Sequence, residues 1–268
     1  MTTNEIRTAF LKYFERQGHL AIPSASLVPF EDDPSVLLTI AGMQPLKAYF
    51  MGQEAPPARR MTSSQKCFRT NDIDQVGHTA RHLTFFEMLG NFSIGDYFKD
   101  DAIRFGWEVS TEVFGLDPER IWITVFEGME GVPGDDEALE RWVQLGVPRE
   151  RIQRLGEADN FWKAGPTGPC GPNTELYLDR GPAFGPEGGP AVGGDRYLEY
   201  WNLVFMQYER APDGTLSSLP AKNIDTGAGL ERLAAILQDV PSVFETDGFR
   251  PLIAWAEGAS RRSYGADP

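Results

Sequence analysis

KCFRTNDIDQVGHTARHLTFFEMLGNFSIGDYFK, residues Lys66 to Lys99, decides the fold. An apolar Cys67-Phe68 pair leads into Arg69. A polar loop follows, and then a second apolar run with Phe85, Phe86, Met88 and Leu89. Two apolar runs around a polar loop predict strand, hairpin, strand. An arginine where the loop leaves the sheet, with aromatics returning on the next strand, suits a ligand with a phosphate at one end and a ring at the other. Guanidinium grips phosphate oxygens as a fork, and the rings offer stacking faces.

Working outward, Thr2 and Glu5 have capping-box spacing, and Ile6, Phe10, Leu11 and Phe14 recur at helical intervals until Gly18. Leu20 to Pro29 reads as extended chain. Past the hairpin, Asp100 and Asp101 start a helix carrying Ile103, Trp107, Val109 and Val113, with Gly115 as its stop. Arg120 to Phe126 alternates as a strand, and a short helix with Leu139, Trp142 and Val143 follows. Gly165 to Glu175 reads as a glycine-rich loop, and Gly181 to Gly194 as a surface insertion without a regular element. Tyr197 to Tyr208 is the longest strand, central because aromatics lie on both faces. Leu230, Leu233, Ala234 and Leu237 form a helical face, and Ile253 and Ala256 lie in a last helix. Strands joined by hairpins, with few strand-helix-strand alternations, predict an α+β fold on a mostly antiparallel sheet.

The 268 residues carry 39 acidic against 25 basic side chains, a net charge of -14. Nucleic-acid affinity comes largely from phosphate neutralisation, so any RNA contact is expected to be local and weak. No apolar run approaches membrane-spanning length and the N-terminus lacks a signal-peptide layout, which predicts a cytoplasmic protein without a membrane partner. Two cysteines, Cys67 and Cys170, are too few for a disulfide scaffold. Cys170 has no basic neighbour in sequence to activate it and is assigned no nucleophilic role. His78 and His82 are four apart, but no glutamate follows His78 and the segment reads as loop and strand, so zinc is not expected here.

Arg69 and His82 to Ser93 (HLTFFEMLGNFS) resemble motif 2 of the class II aminoacyl-tRNA synthetases, in the form carried by the alanyl-tRNA synthetases. Two further runs resemble that family's amino-acid loop and motif 3: Asn160-Phe161-Trp162 with Gly165 to Glu175 (GPTGPCGPNTE), and Asp225 to Arg232 (DTGAGLER). The opening helix with the extended segment to Pro29 is similar to motif 1, a dimer interface elsewhere in the class but here read as scaffold. The motifs stand in the family's order over nearly the whole chain.

The resemblance implies a class II catalytic domain over residues 1–241, with a six- or seven-stranded antiparallel sheet flanked by helices. It also implies that residues 242–268 begin a helical tRNA-recognition region, truncated here. The implied reaction is activation of alanine by ATP and Mg²⁺ to alanyl-adenylate, then transfer to tRNA(Ala). The short chain and acidic balance predict a monomer with weak tRNA binding. By this resemblance Arg69 and Arg232 are the catalytic, phosphate-binding arginines. His82 is then a ligand-facing strand residue, Phe86 on the same face stacks the adenine, and Phe85 belongs to the core. A register shifted by one residue would exchange the two phenylalanines. Trp162, Asn202, Val204 and Gly227 form the amino-acid pocket, and Asp225 holds the ammonium group. Read without the family, Arg232 pairs with Glu231 or Asp225, and Asp225 before Thr-Gly is a helix cap. The metal ligands are open; Glu199 is either a magnesium carboxylate or an exposed strand glutamate. Many relatives have a longer motif-2 loop with a lysine and a histidine, where Arg69 to Asp74 is short and acidic. A second reading, a synthetase-like module that binds nucleotide and amino acid as a regulator or loads another carrier, stays open.

Overall fold

The computed structural model describes residues 1–29, 36–70 and 73–266. Asn71 and Asp72 of the acidic loop lie outside them. In chain order the elements are α1 (Thr3–Arg16), β1 (Leu20–Ala21), α2 (Lys47–Phe50), β2 (Arg60–Phe68), β3 (Phe85–Ile94) and α3 (Lys99–Glu108). Next come β4 (Ile121–Phe126), β5 (Gly128–Met129), β6 (Val132–Pro133), α4 (Asp136–Gln144), β7 (Ile152–Leu155), α5 (Glu157–Asn160) and β8 (Phe161–Lys163). The chain closes with β9 (Gly168–Asp179), β10 (Tyr197–Arg210), β11 (Leu216–Gly229), α6 (Leu230–Leu237) and α7 (Arg250–Ser260).

Among the described residues nine strands form one sheet in the order β1-β2-β3-β11-β10-β9-β4-β7, with β8 added on β9. The expected six or seven antiparallel strands are therefore exceeded. Antiparallel pairing holds through the middle, but β1 lies parallel to β2 and β4 parallel to β7. Both exceptions fall at the ends of the strand order, where a strand can be added without disturbing the central hairpins. The fold class is α+β.

Alternation on β10 separates the two faces of the sheet. Trp201, Leu203 and Phe205 join the core under the helices, with Phe10, Phe14, Ile103, Trp142 and Leu233. Val204 and Met206 face the other way, with Met43, Phe50, Met61 and Phe92. Helix α1 starts as its sequence dictates: Thr2 accepts from the Glu5 amide and Glu5 returns the bond to the Thr2 amide at 2.8 Å. Its Arg7 pairs with Glu87 of β3 at 2.6 Å, which ties the helix to the strand beside the cavity. Phe14 is fully buried, and truncation to alanine would cost about 3–5 kcal/mol.

Three local expectations change. The GPTGPCGPNTE run becomes β9 from Gly168 onward. Gly171 serves close packing there, since a Cβ would sit 2.1 Å from the Phe205 carbonyl oxygen. Phe85 is 43% exposed and not in the core, because it lies at the first position of β3, beyond the contact that Glu87 makes with α1. The 181–194 insertion holds two short 3₁₀ turns and is pinned: Gln153 donates to the Gly188 carbonyl at 2.7 Å and accepts from the Ala191 amide at 2.9 Å.

Candidate active site

A cavity of about 370 Å³ opens on the sheet face away from the main helices, between β3, β11, β10 and the β8–β9 edge. Its walls hold every site residue expected from sequence: Arg69, His82, Phe86, Trp162, Asn202, Val204, Asp225, Gly227 and Arg232.

Arg69 stands one residue past β2. Its amide donates to the Thr84 carbonyl at 2.8 Å, closing the hairpin neck, and its Nε donates to the Ile40 carbonyl at 3.0 Å. The guanidinium carbon lies 5.2 Å from the Phe86 ring centroid, a cation-π contact that fixes arginine and ring together. Phe86 thus faces the cavity as expected. His82 also lines it, but from the loop before β3 and not from a strand. Nδ1 of His82 shares a hydrogen with the Thr79 hydroxyl at 2.7 Å, so loop contacts and not sheet alternation aim the ring. The loop is latched by Arg81, which donates to the Gly194 carbonyl at 2.6 Å and pairs with Asp195 at 3.2 Å.

Arg232, in the first turn of α6, pairs with neither of its sequence neighbours. Its Nη1 donates to the Glu199 carboxylate at 2.8 Å and to the Glu199 carbonyl at 3.1 Å. Glu231 turns back to accept from the Glu87 amide at 3.0 Å, and burial pushes its carboxyl up to about 7.

The other end of the cavity is small and acidic. Asp225 lies within β11 opposite Val204, not at a helix start, and the residue preceding α6 is Gly229. Asp225 is 6% exposed, and burial raises its pKa to about 7. Gly227 faces Asn202 across the ladder, and a Cβ there would meet Met88 Sδ at 2.8 Å. Glycine therefore keeps this end open. Trp162 on β8 closes one side, opposite Gly171 of β9.

Sequence reading passed over Glu175, Glu231 and Arg81, all of which line the cavity. Glu175 lies opposite Asn202, and its pKa is raised by burial and by the charge of Glu199. Recognising the 165–175 run as a strand would have exposed it, by pairing and alternation with Asn202. Both cysteines are buried, and burial pushes Cys67 up to about 12 and Cys170 up to about 11, values unsuited to a thiolate nucleophile. Among the described residues no helix is long and apolar enough to cross a membrane.

Known proteins resemble this chain along its whole length. It is 54% identical to the alanine–tRNA ligase of Salinispora tropica over 99% of its residues, and 53% identical to that of Acidithiobacillus ferridurans over all of them. It spans about 30% of the length of these relatives. Among solved structures, histidyl-tRNA synthetase of S. aureus superposes with a TM-score of 0.52 at 12% identity, covering 96% of this chain and 75% of that one. Aspartyl tRNA synthetase from Entamoeba histolytica superposes with 0.50 at 13% identity, covering 92% and 56%. These two share the fold. The family model for class II (A) tRNA synthetases matches residues 5–268, and with the motif-2 and motif-3 residues gathered in one cavity, the chain belongs to the class II (A) tRNA synthetases.

Proposed function

We propose that this chain activates alanine with ATP to give alanyl-adenylate and pyrophosphate, and passes the alanyl group to tRNA(Ala). The observation that carries the reading is one cavity with two unlike ends. Arg69, Phe86 and Arg232 offer cations and a ring, while Asp225, Gly227, Val204 and Trp162 enclose a space for a small amino acid. The relatives at 53–54% identity are alanine–tRNA ligases, which supports alanine as the amino acid.

The alanine carboxylate is ionised at neutral pH and attacks the α-phosphorus without a general base. Pyrophosphate leaves with the electron pair of the broken P–O bond. Arg69 bridges the carboxylate and the α-phosphate, where charge builds up, and Phe86 stacks the adenine. His82 lines the nucleotide end. Arg232 takes the outer phosphates after release from Glu199. Asp225 holds the ammonium, and Asn202 lies beside it. Magnesium needs only one or two protein carboxylates when phosphates supply other oxygens, and Glu199, on the cavity wall with its side chain 33% exposed, fits that demand. When bound, the ion neutralises phosphoryl charge.

We assign residues 1–241 to the aminoacylation domain and 242–268 to the start of a tRNA-recognition region, acting in the cytoplasm. With a net charge of -14 the chain on its own binds tRNA weakly. Alanine-dependent exchange of labelled pyrophosphate into ATP tests the reading. Exchange supports it, whereas ATP binding without exchange assigns the chain to a regulator or carrier-loading module.

A further inference from the structure

The Glu175 carboxylate is 7% exposed and collects four donors. Asn202 Nδ2 reaches Oε1 at 3.0 Å and Asn173 Nδ2 reaches it at 3.4 Å. The Tyr177 and Thr124 hydroxyls reach Oε2 at 2.5 and 3.4 Å. This division of partners sets the Asn202 amide, because its nitrogen is drawn to Oε1 and its oxygen must point elsewhere. Oδ1 of Asn202 is buried and, among the described residues, has no hydrogen-bond partner. An acceptor left unmet in that way is costly unless a ligand supplies the donor.

The strand register shows what that donor would be. Asn202 pairs with Gly227, and Asp225 is the diagonal neighbour on β11, on the same face and facing the same cavity. Diagonal side chains across an antiparallel pair stand roughly 7 Å apart, and Gly227 has no side chain to fill the interval. A group with two N–H bonds of about 2.8 Å each bridges at most about 5.6 Å, which suffices once the amide and carboxyl groups extend from their strands into that interval. Both protein groups are acceptors, so a primary ammonium, with three N–H donors, is complementary, and a carboxylate is not.

We propose that Glu175 is a positioning residue for the amino-acid substrate: by holding the Asn202 amide nitrogen it turns Oδ1 into a second acceptor, beside Asp225, for the substrate ammonium. The proposal rests on the reading of this cavity as an alanine-activating site. It does not depend on the charge of Glu175. A proton taken up there lodges on Oε2, against hydroxyls that accept as well as donate, and Oε1 remains an acceptor for Asn202.

Pyrophosphate exchange on this chain provides the test, with alanine and ATP varied separately and melting temperature as a fold control. Glu175→Leu removes the acceptor and frees the amide to turn. We expect the alanine KM to rise about tenfold or more, with the ATP KM within about twofold of wild type. Glu175→Gln keeps an acceptor for Asn202 and should restore the alanine KM to within about threefold. Asn202→Ala should reproduce the alanine-specific rise, which keeps the test decisive if the leucine variant does not fold. Combining Asn202→Ala with Glu175→Leu should add little to either, since both remove one acceptor. An unchanged alanine KM in Asn202→Ala, equal rises in both KM values, or additive effects would overturn the proposal while leaving alanine activation intact. No exchange by the wild type removes the parent reading and this one together.

Discussion

Arg232 and Glu199 form an ion pair of 2.8 Å across the cavity wall, from the first turn of α6 to β10. The arginine assigned to the outer phosphates is thus held in place by the carboxylate assigned to magnesium. On this assignment, a ligand bringing both phosphate and metal would part the two charges. Glu199→Gln removes the magnesium carboxylate and weakens the hold on Arg232. The Mg²⁺ concentration for half-maximal exchange should rise about fivefold or more, with the alanine KM little changed. A variant altered only in melting temperature would make Glu199 a structural partner of Arg232.

Arg69→Ala should reduce exchange by about a thousandfold or more while the protein melts within a few degrees of wild type. The guanidinium lies in the open cavity and its loss removes charge stabilisation, not core packing. Arg69→Lys should rescue poorly, because an ammonium provides neither the fork nor the planar contact with Phe86. Exchange near wild type in either variant would overturn the role of Arg69.

Asp225 must be ionised to hold an ammonium, and burial raises its pKa to about 7. The alanine KM should therefore climb as pH falls from 7.5 to 6, roughly in proportion to the protonated fraction, with the ATP KM changing less. Asp225→Asn should raise the alanine KM and remove this pH dependence. An effect on ATP affinity alone would place the ammonium elsewhere.

The same burial makes stability depend on pH. Asp225 and Glu231 both titrate near 7 in the folded chain and near 4 when unfolded, so the native state holds protons that the unfolded state has lost. Stability conferred at low pH is then lost as pH rises through 7. His19 works the other way, but only in acid: burial lowers it to about 4, so it destabilises the fold between about 6.5 and 4. The ligand-free melting temperature should fall from pH 6.5 to 8, and Asp225→Asn should flatten that slope. A rise over this window would contradict the burial of these carboxylates.

Gly227→Ala should fill the small end. Met88 is flexible enough for the fold to survive a Cβ placed 2.8 Å from its sulfur, but the space beside Asp225 shrinks. Exchange with alanine should weaken about tenfold or more, and exchange with glycine should weaken less. Equal loss with both amino acids would show that Gly227 does not border the substrate methyl group.

The sequence was most legible where local pattern and chemistry agreed. The hairpin around Arg69, the capped α1 and the long β10 each show their period or their stop signal in a few residues. It was least legible where tertiary contact decided. Gly168 to Asp179 contains prolines and glycines that read as a loop, yet pairing to β10 on one side and β4 on the other makes it a strand. Leu216 to Gly229 is likewise a full strand despite Pro220 and three of the motif's small residues. Phe86 was placed on the correct face by alternation, whereas Phe85 was not, because burial depends on whether a helix lies beneath that end of the sheet. Glu175 and the Glu199–Arg232 pair were hidden for a related reason, since cross-strand neighbours depend on a register that one strand alone does not reveal.

The central claim, that the small acidic end of this cavity selects alanine for adenylate formation, is tested most directly by measuring pyrophosphate exchange with each amino acid in turn. Alanine should support the fastest exchange. Glycine, lacking one methyl group, should follow within about 10- to 200-fold, serine should be detectable, and larger amino acids should give none. Fastest exchange with a larger amino acid, or tight ATP binding with no exchange for any of them, would contradict the account.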